Sequence, residues 1–281
     1  MVKDEVININ GRLLSKAKTG LSTVNRGFRF GDSLFESIRV SNGRPLFLED
    51  HFSRLHKGMK ALKMMGPGPW NMNYFRGEIL KVLSANQVDR GGRIRFTVFR
   101  TGSGLYTPSS NECGFVVETS LHPLNAFELN SEGLRIGIFD EWPLHFTKYS
   151  QYKTNNCLPY IMAGLWAREQ GFDDVMMLNT QRNLCEASSS NIFIYLEGIL
   201  YTAPLSDACV SGIMRKKTIQ LCKKLKIPLI ESSISPALLV KAEEVFLTNA
   251  ISGLVWVASF EKKRYFHKLS DKLVLALNDL V

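Results

Sequence analysis

The sequence predicts an α/β protein of two domains, a small α+β domain at residues 1–120 and a larger α/β domain at residues 133–281. Three observations support this division. The first part mixes alternating strand patterns with two helical patterns. Residues 121–132 show no clear periodicity and form the predicted linker. After the linker, apolar strands and helices follow each other again, and a chain of 281 residues is long enough for two hydrophobic cores.

The N-terminal domain combines period-two strands with helices. Asn10-Gly11 is typical of a two-residue hairpin turn, and Phe52, Leu55 and Met59 recur at the spacing of one helical face. The glycine- and proline-rich stretch 66–69 ends that helix. The predicted elements are strands at 5–9, 12–14, 35–40, 46–48, 93–99 and 114–120 and helices at 49–62 and 74–83.

The C-terminal domain contains a helix with clear end signals. Pro159 lies in the first turn of the predicted helix 157–170, and Gly171 follows its last residue. A serine-rich turn separates two apolar strands further along the chain. The predicted elements are strands at 134–139, 175–178, 192–196, 229–231 and 245–247 and helices at 157–170 and 212–225, with another helix starting at Ser235-Pro236.

The composition is that of a soluble globular protein, with 45% apolar and 22% charged residues. No stretch approaches the ~18 consecutive apolar residues of a membrane span, and residues 1–5 lack the apolar core of a secretory signal. The five cysteines are odd in number and form no CxxC pair, so we expect reduced core residues and no metal site. These features predict a cytoplasmic protein without a membrane partner.

The net charge of +9 raises the question of nucleic-acid binding. The basic residues are spread along the chain, with short clusters at 215–217, 223–226 and 262–264. Two of these clusters fall on the polar face of a predicted helix, where solvated lysines explain them. A basic balance also suits an enzyme that gathers a phosphorylated cofactor and carboxylate substrates. We therefore expect no nucleic-acid partner.

Lys153 and Glu186 form the candidate chemical pair. Pyridoxal phosphate needs an amine that holds its aldehyde as a Schiff base and a carboxylate that keeps its ring nitrogen protonated. Lys153 precedes the predicted helix 157–170, and Glu186 lies in the serine-rich turn. Each residue alone is a weak signal, because the chain has 35 Lys and Arg residues and 26 Asp and Glu residues, and charged residues usually face solvent.

Five sequence blocks in a fixed order strengthen this interpretation. They are residues 25–39, residues 51–55, Lys153, residues 186–193 and residues 211–215. Through these blocks the chain resembles the class IV aminotransferases, the fold-type-IV pyridoxal-phosphate enzymes, over nearly its whole length. That family includes branched-chain and D-amino-acid aminotransferases and 4-amino-4-deoxychorismate lyase. The resemblance implies a D-amino-acid-aminotransferase-like fold of two α/β domains with the cofactor between them, and a homodimer acting on a small-molecule amine.

The resemblance also implies the roles of individual residues. Lys153 matches the Schiff-base lysine, Glu186 the partner of the pyridine nitrogen and Arg54 the arginine that binds the cofactor phosphate. Arg54 lies off the apolar stripe of its helix, which agrees with this role, because a guanidinium suits phosphate oxygens. The further cofactor-binding candidates are Ser190, Asn191, Ile213, Met214 and Asn249, and the substrate candidates are Phe35 and Arg95.

Two of these roles can be weighed from the residues alone. Free backbone N–H groups at the start of a helix at Gly212 would form an anion site. Arg95 alternates with Phe96 and Val98 in a predicted strand, so it could instead face solvent.

The sequence leaves the reaction open between a lyase and a transaminase. Asn249-Ala250 replaces the Ser/Gly-Thr pair of the amino-acid transaminases, and together with residues 212–215 it is similar to aminodeoxychorismate lyases. Leu158 fits the lyase and D-amino-acid branches. Leu105 stands where a carboxylate-binding arginine is expected in lyases, and residues 186–191 are close to the D-amino-acid transaminase pattern.

We therefore expect 4-amino-4-deoxychorismate lyase, which forms 4-aminobenzoate and pyruvate in the folate pathway. A branched-chain or D-amino-acid transaminase is the alternative. A third possibility is a basic binding protein that has kept the fold and lost the chemistry.

Overall fold

The computed structural model describes residues 5–20, 22–123 and 125–281. It divides into two compact units. The first unit consists of the chain up to Asn125 together with the later segment Tyr152–Asn156. The second unit consists of Ala126–Gln151 and Cys157–Val281. The boundary at Asn125 falls inside the predicted linker 121–132, of which Leu124 lies outside the described residues.

The first unit is a six-stranded antiparallel sheet with three helices. The strand order is β2-β1-β6-β5-β3-β4. Its elements are β1 (Val6–Ile9), β2 (Arg12–Ser15), α1 (Arg26–Phe30), β3 (Ser33–Ser41), β4 (Arg44–Pro45), α2 (Leu48–Ala61), α3 (Met72–Asn86), β5 (Gly92–Arg100) and β6 (Cys113–Leu121). The six longer predicted elements of this domain are confirmed within three residues at each end.

Local chemistry and packing explain this sheet. Asn10 and Gly11 have φ angles of 51° and 88°, the left-handed conformation that the tight turn between β1 and β2 requires. The core lies between the sheet and helices α2 and α3. Phe75 of α3 packs on Phe96 of β5 with ring centroids 4.6 Å apart, and Phe96 stacks on Phe115 of β6 at 5.2 Å. Strand β3, which carries Phe35 and Glu36, pairs with β5 along its length, so it is part of the same packed sheet.

The predicted strand at 46–48 is wrong. The strand that pairs with the end of β3 is only Arg44–Pro45, and helix α2 already begins at Leu48. Phe47 has a φ of 52° and precedes the helix as its N-cap residue. A left-handed residue cannot continue a strand, so the apolar run changes direction at this position.

The second unit contains a nine-stranded sheet and four helices. The strand order is β12-β11-β10-β13-β14-β7-β8-β9, and β15 also pairs with β14. Its elements are β7 (Leu134–Leu144), α4 (Leu158–Gln170), β8 (Asp174–Asn179), β9 (Leu184–Ala187), β10 (Asn191–Leu196), β11 (Ile199–Thr202), α5 (Ile213–Lys224), β12 (Leu229–Glu231), α6 (Ala237–Lys241), β13 (Glu244–Asn249), β14 (Gly253–Phe260), β15 (Lys263–Arg264) and α7 (Lys268–Asn278).

The predicted helix 157–170 is confirmed as α4. Pro159 occupies its first turn, and Gly171 ends it with a φ of 69°, the left-handed conformation typical of a residue that follows a helix. In the sheet, Phe193 of β10 lies opposite Phe246 of β13, and their rings stack 5.1 Å apart. This pairing fixes the register that brings Asn191 opposite Thr248.

Several elements of the second unit were not predicted. Among them are β9, β11, β14, β15 and α7. The strand β9 matters most, because the sequence placed Glu186 in a turn. Glu186 instead pairs with Met177 of β8 and is only 3% exposed, and the turn is confined to the serines that follow.

The described residues contain neither a candidate membrane span nor a candidate metal cluster. Within the described residues, no helix is long and apolar enough to cross a membrane. The same residues contain no group of three or more His, Cys, Asp or Glu side chains that could hold a metal ion.

Candidate active site

Lys153 lies beside strand β3 of the first unit. Its carbonyl oxygen accepts a hydrogen bond from the Phe35 N–H at 2.9 Å, and the Asn155 N–H donates to the Ser33 carbonyl at 3.1 Å. Thr154 forms an antiparallel bridge with Leu34. The sequence assigned Lys153 to the C-terminal domain, whereas these strand-like bonds place its segment in the first unit.

Lys153, Phe35 and Arg95 form one cluster. The Lys153 Nζ lies 4.7 Å from the centre of the Phe35 ring, and the Arg95 guanidinium carbon lies 3.8 Å from the same centre. The Arg95 Nη2 donates to Asn155 Oδ1 at 3.1 Å. The structure therefore brings the predicted amine together with both predicted substrate residues, and Arg95 is half-buried rather than directed into solvent.

Arg54 is held by a buried carboxylate. Its Nε donates to Glu36 Oε1 at 2.8 Å, and its Nη2 donates to Glu36 Oε2 at 2.5 Å. The His51 Nδ1 lies 2.6 Å from Glu36 Oε2. The side chains of Glu36 and His51 are each 1% exposed, and that of Arg54 is 10% exposed. A two-point contact of this kind fixes the plane of the guanidinium.

Glu36, His51 and Arg54 form a hydrogen-bonded triad. The pKa shifts of Glu36 and His51 give the charges of these two residues. Burial alone raises the pKa of Glu36, but the Arg54 guanidinium and the hydrogen bonds from His51 and Arg54 outweigh it and lower this pKa to about 2. Burial lowers the pKa of His51, and Glu36 offsets only part of that effect. At neutral pH Glu36 is therefore ionised and His51 is neutral. It follows that His51 Nδ1 carries the proton and donates it to Glu36.

Glu186 is the buried carboxylate of the second unit. Its Oε1 accepts a hydrogen bond from the Tyr160 hydroxyl of α4 at 2.6 Å, and its Oε2 accepts one from the Val210 N–H at 3.0 Å. Strand β9 positions Glu186 by pairing with β8. An ionised carboxylate is a pure acceptor, so the hydrogen bonds from Tyr160 and Val210 both favour the charged form of Glu186.

Helix α5 begins beside Asn191. The Asn191 Nδ2 donates to the Val210 carbonyl at 2.9 Å, and a Cβ atom on Gly212 would overlap with Asn191 Oδ1. Gly212 is the N-cap residue, and no side chain among the described residues caps α5. The first N–H groups of a helix, here those of Ile213 and Met214, have no partner within the helix. They form a donor set suited to an anion.

Ser190, Asn249 and Thr248 surround the ends of β10 and β13. The Asn249 Nδ2 donates to Ser190 Oγ at 3.1 Å, and its Oδ1 accepts the N–H groups of Ile251 and Ser252 at 3.0 Å and 2.8 Å. Asn249 therefore fixes the turn into β14. Thr248 lies opposite Asn191, so both side chains share one face of the sheet. Its Oγ1 is buried and makes no hydrogen bond within the part of the chain that is described.

These residues fit the requirements of pyridoxal phosphate. A protonated ring nitrogen needs a buried acceptor, and Glu186 is one. The phosphate needs several donors. In the second unit the start of α5 offers backbone N–H groups, and in the first unit the fixed guanidinium of Arg54 is a candidate of its own. The orphaned Thr248 Oγ1 is a further polar atom on the Asn191 face. Lys153 supplies an amine. By its chemistry the chain is a pyridoxal-phosphate protein.

Comparison with known proteins gives the family. The model of the family described as Amino-transferase class IV matches residues 33–260, which is most of the 281-residue chain. The chain therefore belongs to the class IV aminotransferases, and it is an enzyme that uses pyridoxal phosphate.

Three relatives illustrate the range of the family. The D-alanine aminotransferase of Bacillus licheniformis is 24% identical over 263 residues, which cover 90% of this chain and 87% of that protein. The branched-chain aminotransferase of Thermoproteus uzoniensis has a similar fold, with a TM-score of 0.88 at 23% identity, covering 97% and 93% of the two chains. The 4-amino-4-deoxychorismate lyase of Pseudomonas aeruginosa has a TM-score of 0.83 at 27% identity, covering 97% and 98%.

The predicted site residues fall into two sets. Lys153, Arg54, Phe35 and Arg95 belong to the first unit, and Glu186, Ser190, Asn191, Ile213, Met214 and Asn249 belong to the second.

Four residues of the candidate site were not predicted from the sequence, namely Tyr160, Glu36, His51 and Thr248. Tyr160 lies in the first turn of α4, seven residues after Lys153. This position is outside the five matching blocks, so no motif pointed to it. Glu36 and His51 lie inside the matching blocks, so their position there was the signal that could have identified them.

Proposed function

We propose that this enzyme is a 4-amino-4-deoxychorismate lyase, which converts aminodeoxychorismate to 4-aminobenzoate and pyruvate. The observation that carries the proposal is the turn at Asn249-Ala250. Where transaminases of the family place a hydroxyl-bearing Ser/Gly-Thr pair, this chain has an amide that binds Ser190 and caps its own turn. Ala250 has no hydroxyl for the phosphate. Asn249-Ala250, together with residues 212–215, is similar to aminodeoxychorismate lyases, and the lyase of Pseudomonas aeruginosa is 27% identical to this chain.

Loss of one hydroxyl contact is compatible with cofactor binding. A single hydrogen bond is worth about 1 kcal/mol, and the start of α5 provides several N–H donors. Arg54 adds a charged donor whose guanidinium carries five N–H groups, so its pairing with Glu36 is compatible with contact to a phosphate. We propose that Arg54, Ile213 and Met214 hold the phosphate group.

Lys153 and Glu186 carry the proposed chemistry. The bound cofactor supplies a conjugated ring that accepts the electron pair released when a substrate C–H bond breaks. Lys153 would hold the aldehyde of the cofactor, and its amine would take the proton from the substrate carbon that bears the nitrogen. Glu186 keeps a proton on the ring nitrogen, and Tyr160 and Val210 hold its two oxygens. The electron pair of the broken C–H bond would then complete the aromatic ring as the ring C–O bond breaks, and the departing enolpyruvate would take up a proton to become pyruvate.

The decisive experiment compares two reactions of the purified protein with pyridoxal phosphate. Aminodeoxychorismate alone should give equal amounts of 4-aminobenzoate and pyruvate, without any keto-acid acceptor. D-Alanine or leucine with 2-oxoglutarate should give little product. If only the second reaction proceeds, the enzyme is a transaminase and the lyase proposal is wrong. Lys153→Ala should remove either activity, whereas Lys148→Ala, a change at an exposed lysine of a neighbouring turn, should not.

The second candidate is an amino-acid transaminase. Similar curated proteins include the D-alanine aminotransferase of Bacillus licheniformis, and residues 186–191 resemble the D-amino-acid branch. A half-buried Arg95 beside Lys153 and Phe35 could bind a carboxylate in either reaction. In a transaminase, Lys153 would deliver the proton back to the cofactor side, and a keto acid would leave after hydrolysis.

The remaining expectations belong to the same proposal. We propose a small-molecule amine as substrate, no nucleic-acid or membrane partner, a homodimer and a cytoplasmic enzyme. Light scattering of the purified protein tests the homodimer directly, because a monomeric mass would contradict it.

A further inference from the structure

Tyr160 lies outside the five sequence blocks that the chain shares with the family, and it donates a hydrogen bond to Glu186, which lies inside one of them. Tyr160 donates to Glu186 Oε1 at 2.6 Å, a length typical of an O–H donor bound to an ionised carboxylate. The Val210 N–H occupies the other oxygen at 3.0 Å. Because each oxygen accepts a hydrogen bond, the orientation of the carboxylate on strand β9 is restricted.

Tyr160 remains a donor at any working pH. Burial raises the pKa of the Tyr160 phenol, and the adjacent Glu186 carboxylate raises it further. The residue comes from the first turn of α4, directly after Pro159, so helix geometry fixes its Cα position. A rigid, always protonated donor therefore faces Glu186.

The other titratable groups around this pair include two buried thiols and the charged residues Asp207 and Arg215. Burial raises the pKa of Cys185 well above its usual value and that of Cys209 to about 12. Asp207 and Arg215 act on Cys209 in opposite directions, and Cys157 acts weakly on Tyr160. Both buried thiols are neutral, so they do not compensate the charge of Glu186.

We propose that Tyr160 is a positioning residue that keeps Glu186 ionised and correctly oriented, so that the proton shared with the cofactor stays on the pyridine nitrogen. This inference rests on the proposed role of Glu186. A hydrogen bond to the charged form of an acid favours that form. Without the Tyr160 hydroxyl, the buried carboxylate loses one of its donors and gains affinity for a proton. The shared proton then moves toward Glu186, and the ring becomes a weaker electron acceptor.

The test uses Tyr160→Phe, which removes only the hydroxyl. Tyr265→Phe is the matched control, because Tyr265 lies in the second unit too but donates to the Leu239 carbonyl at 2.8 Å and not to Glu186. The readout is the nitrogen-15 NMR signal of ring-labelled pyridoxal phosphate bound to each protein, since this signal reports ring protonation without turnover. Equilibrium dialysis measures the affinity for the cofactor.

The expected result is a protonated ring in the wild type and in Tyr265→Phe, and a signal shifted toward the unprotonated position in Tyr160→Phe. The affinity should fall about tenfold in Tyr160→Phe, the size expected for one lost charge-assisted hydrogen bond. An unshifted signal in Tyr160→Phe overturns the inference and leaves the proposed function intact. An unprotonated ring in the wild type also overturns it. A wild-type protein that binds no cofactor overturns the proposed function itself.

A second measurement covers the case in which Tyr160→Phe does not fold. Fluorotyrosine placed at position 160 keeps the hydroxyl and the packing. Its fluorine-19 signal should move when pyridoxal phosphate is added, because a ring N–H then shares the Glu186 charge. The same addition should leave fluorotyrosine at position 265 unchanged. A signal at position 160 that does not respond to bound cofactor overturns the inference.

Discussion

The Arg95 guanidinium carbon lies 3.8 Å from the centre of the Phe35 ring, and the same ring lies 4.7 Å from the Lys153 Nζ. One aromatic ring therefore contacts two cationic side chains. Such contacts are favourable, typically by ~0.5–2 kcal/mol when partly desolvated, and they leave a concentration of positive charge beside the reactive amine. This charge is suited to a substrate that carries carboxylates.

Replacement of Arg95 should weaken substrate binding more than catalysis. We expect Arg95→Leu to raise the KM for a carboxylated substrate by about 10–100-fold, since a hydrogen bond to a charged group is worth ~1.5–3 kcal/mol, while kcat changes little. Steady-state kinetics measure both values. Arg93→Leu is the control on the same strand, because the Arg93 residue is exposed and makes only a long contact to Ser37 Oγ at 3.3 Å. Equal effects of the two changes would contradict a substrate role for Arg95.

Borohydride reduction should attach the cofactor covalently to Lys153. Reduction of the protein with bound pyridoxal phosphate should fix the cofactor to the peptide that contains Lys153, which mass spectrometry identifies. Lys153→Ala should abolish the label and the yellow colour. It should also lower the catalytic activity by a factor of at least ~10³, a loss in the range of general acid–base catalysis. A labelled peptide in Lys153→Ala, or a label on another lysine in the wild type, would show that the amine is misassigned.

A methyl group at position 212 should disturb the start of α5. The backbone angles of Gly212, φ −63° and ψ 137°, are open to any residue, so the expected effect is steric. Because a Cβ would overlap with Asn191 Oδ1, Gly212→Ala should cost ~1–3 kcal/mol of unfolding free energy and weaken cofactor binding.

Gly164→Ala is the matched control for that change. No described atom lies within 4 Å of its Cβ position apart from its own helix. Because alanine is the better helix former, Gly164→Ala should be neutral or slightly stabilising. Urea unfolding and equilibrium dialysis measure the two effects, and a harmless Gly212→Ala would refute the close packing.

The Glu36–His51–Arg54 triad should make the protein sensitive to acid. As the pH falls, His51 of the unfolded chain takes up a proton near pH 6.5, and Glu36 of the unfolded chain does so near pH 4.5. The folded chain resists both protonations, down to about pH 2 for Glu36. The unfolded state therefore binds more protons, and the free energy of unfolding falls as the solution is acidified.

Glu36→Gln isolates the contribution of the carboxylate. This variant should be less stable at neutral pH by ~3–5 kcal/mol, because it breaks a buried ion pair, and its stability should depend less on pH below 4.5. Urea unfolding at pH values from about 7 to about 3.5 measures this. Glu49→Gln is the control, since Glu49 forms an exposed pair with Arg76. A steeper acid dependence in Glu36→Gln would be contrary to this account.

The fold was predictable wherever the hydrophobic pattern and the end signals agreed. Strand β12 has the predicted bounds, and Pro159 and Gly171 mark the ends of α4. The prediction failed at 46–48, because the φ of 52° at Phe47 is a property of the backbone that the apolar run does not reveal. The helix α7 has Leu273, Val274 and Leu277 at helical spacing, so the periodicity there could have identified it.

The candidate site was predictable as a set of residues but not as a set of contacts. The motif blocks identify Lys153, Arg54 and Glu186, because chemistry limits the residue types that can occupy those positions. The contact of Tyr160 with Glu186 spans 26 residues of sequence, and that of Arg54 with Glu36 spans 18. Such pairs depend on strand register and helix placement, which no local pattern of residues encodes.

The pairing of Tyr152–Asn156 with the first unit also affects how the chain can be divided. These residues form strand-like bonds with Ser33 and Phe35, although the chain before Tyr152 and after Asn156 belongs to the second unit. A single cut in the chain near Asn125 therefore cannot yield two self-sufficient fragments. A fragment that begins at Ala126 would contain Lys153 but not its partner strand. The position of Lys153 therefore depends on strand β3 of the first unit, and a fragment without that strand lacks the hydrogen bonds that hold the reactive amine's segment in place.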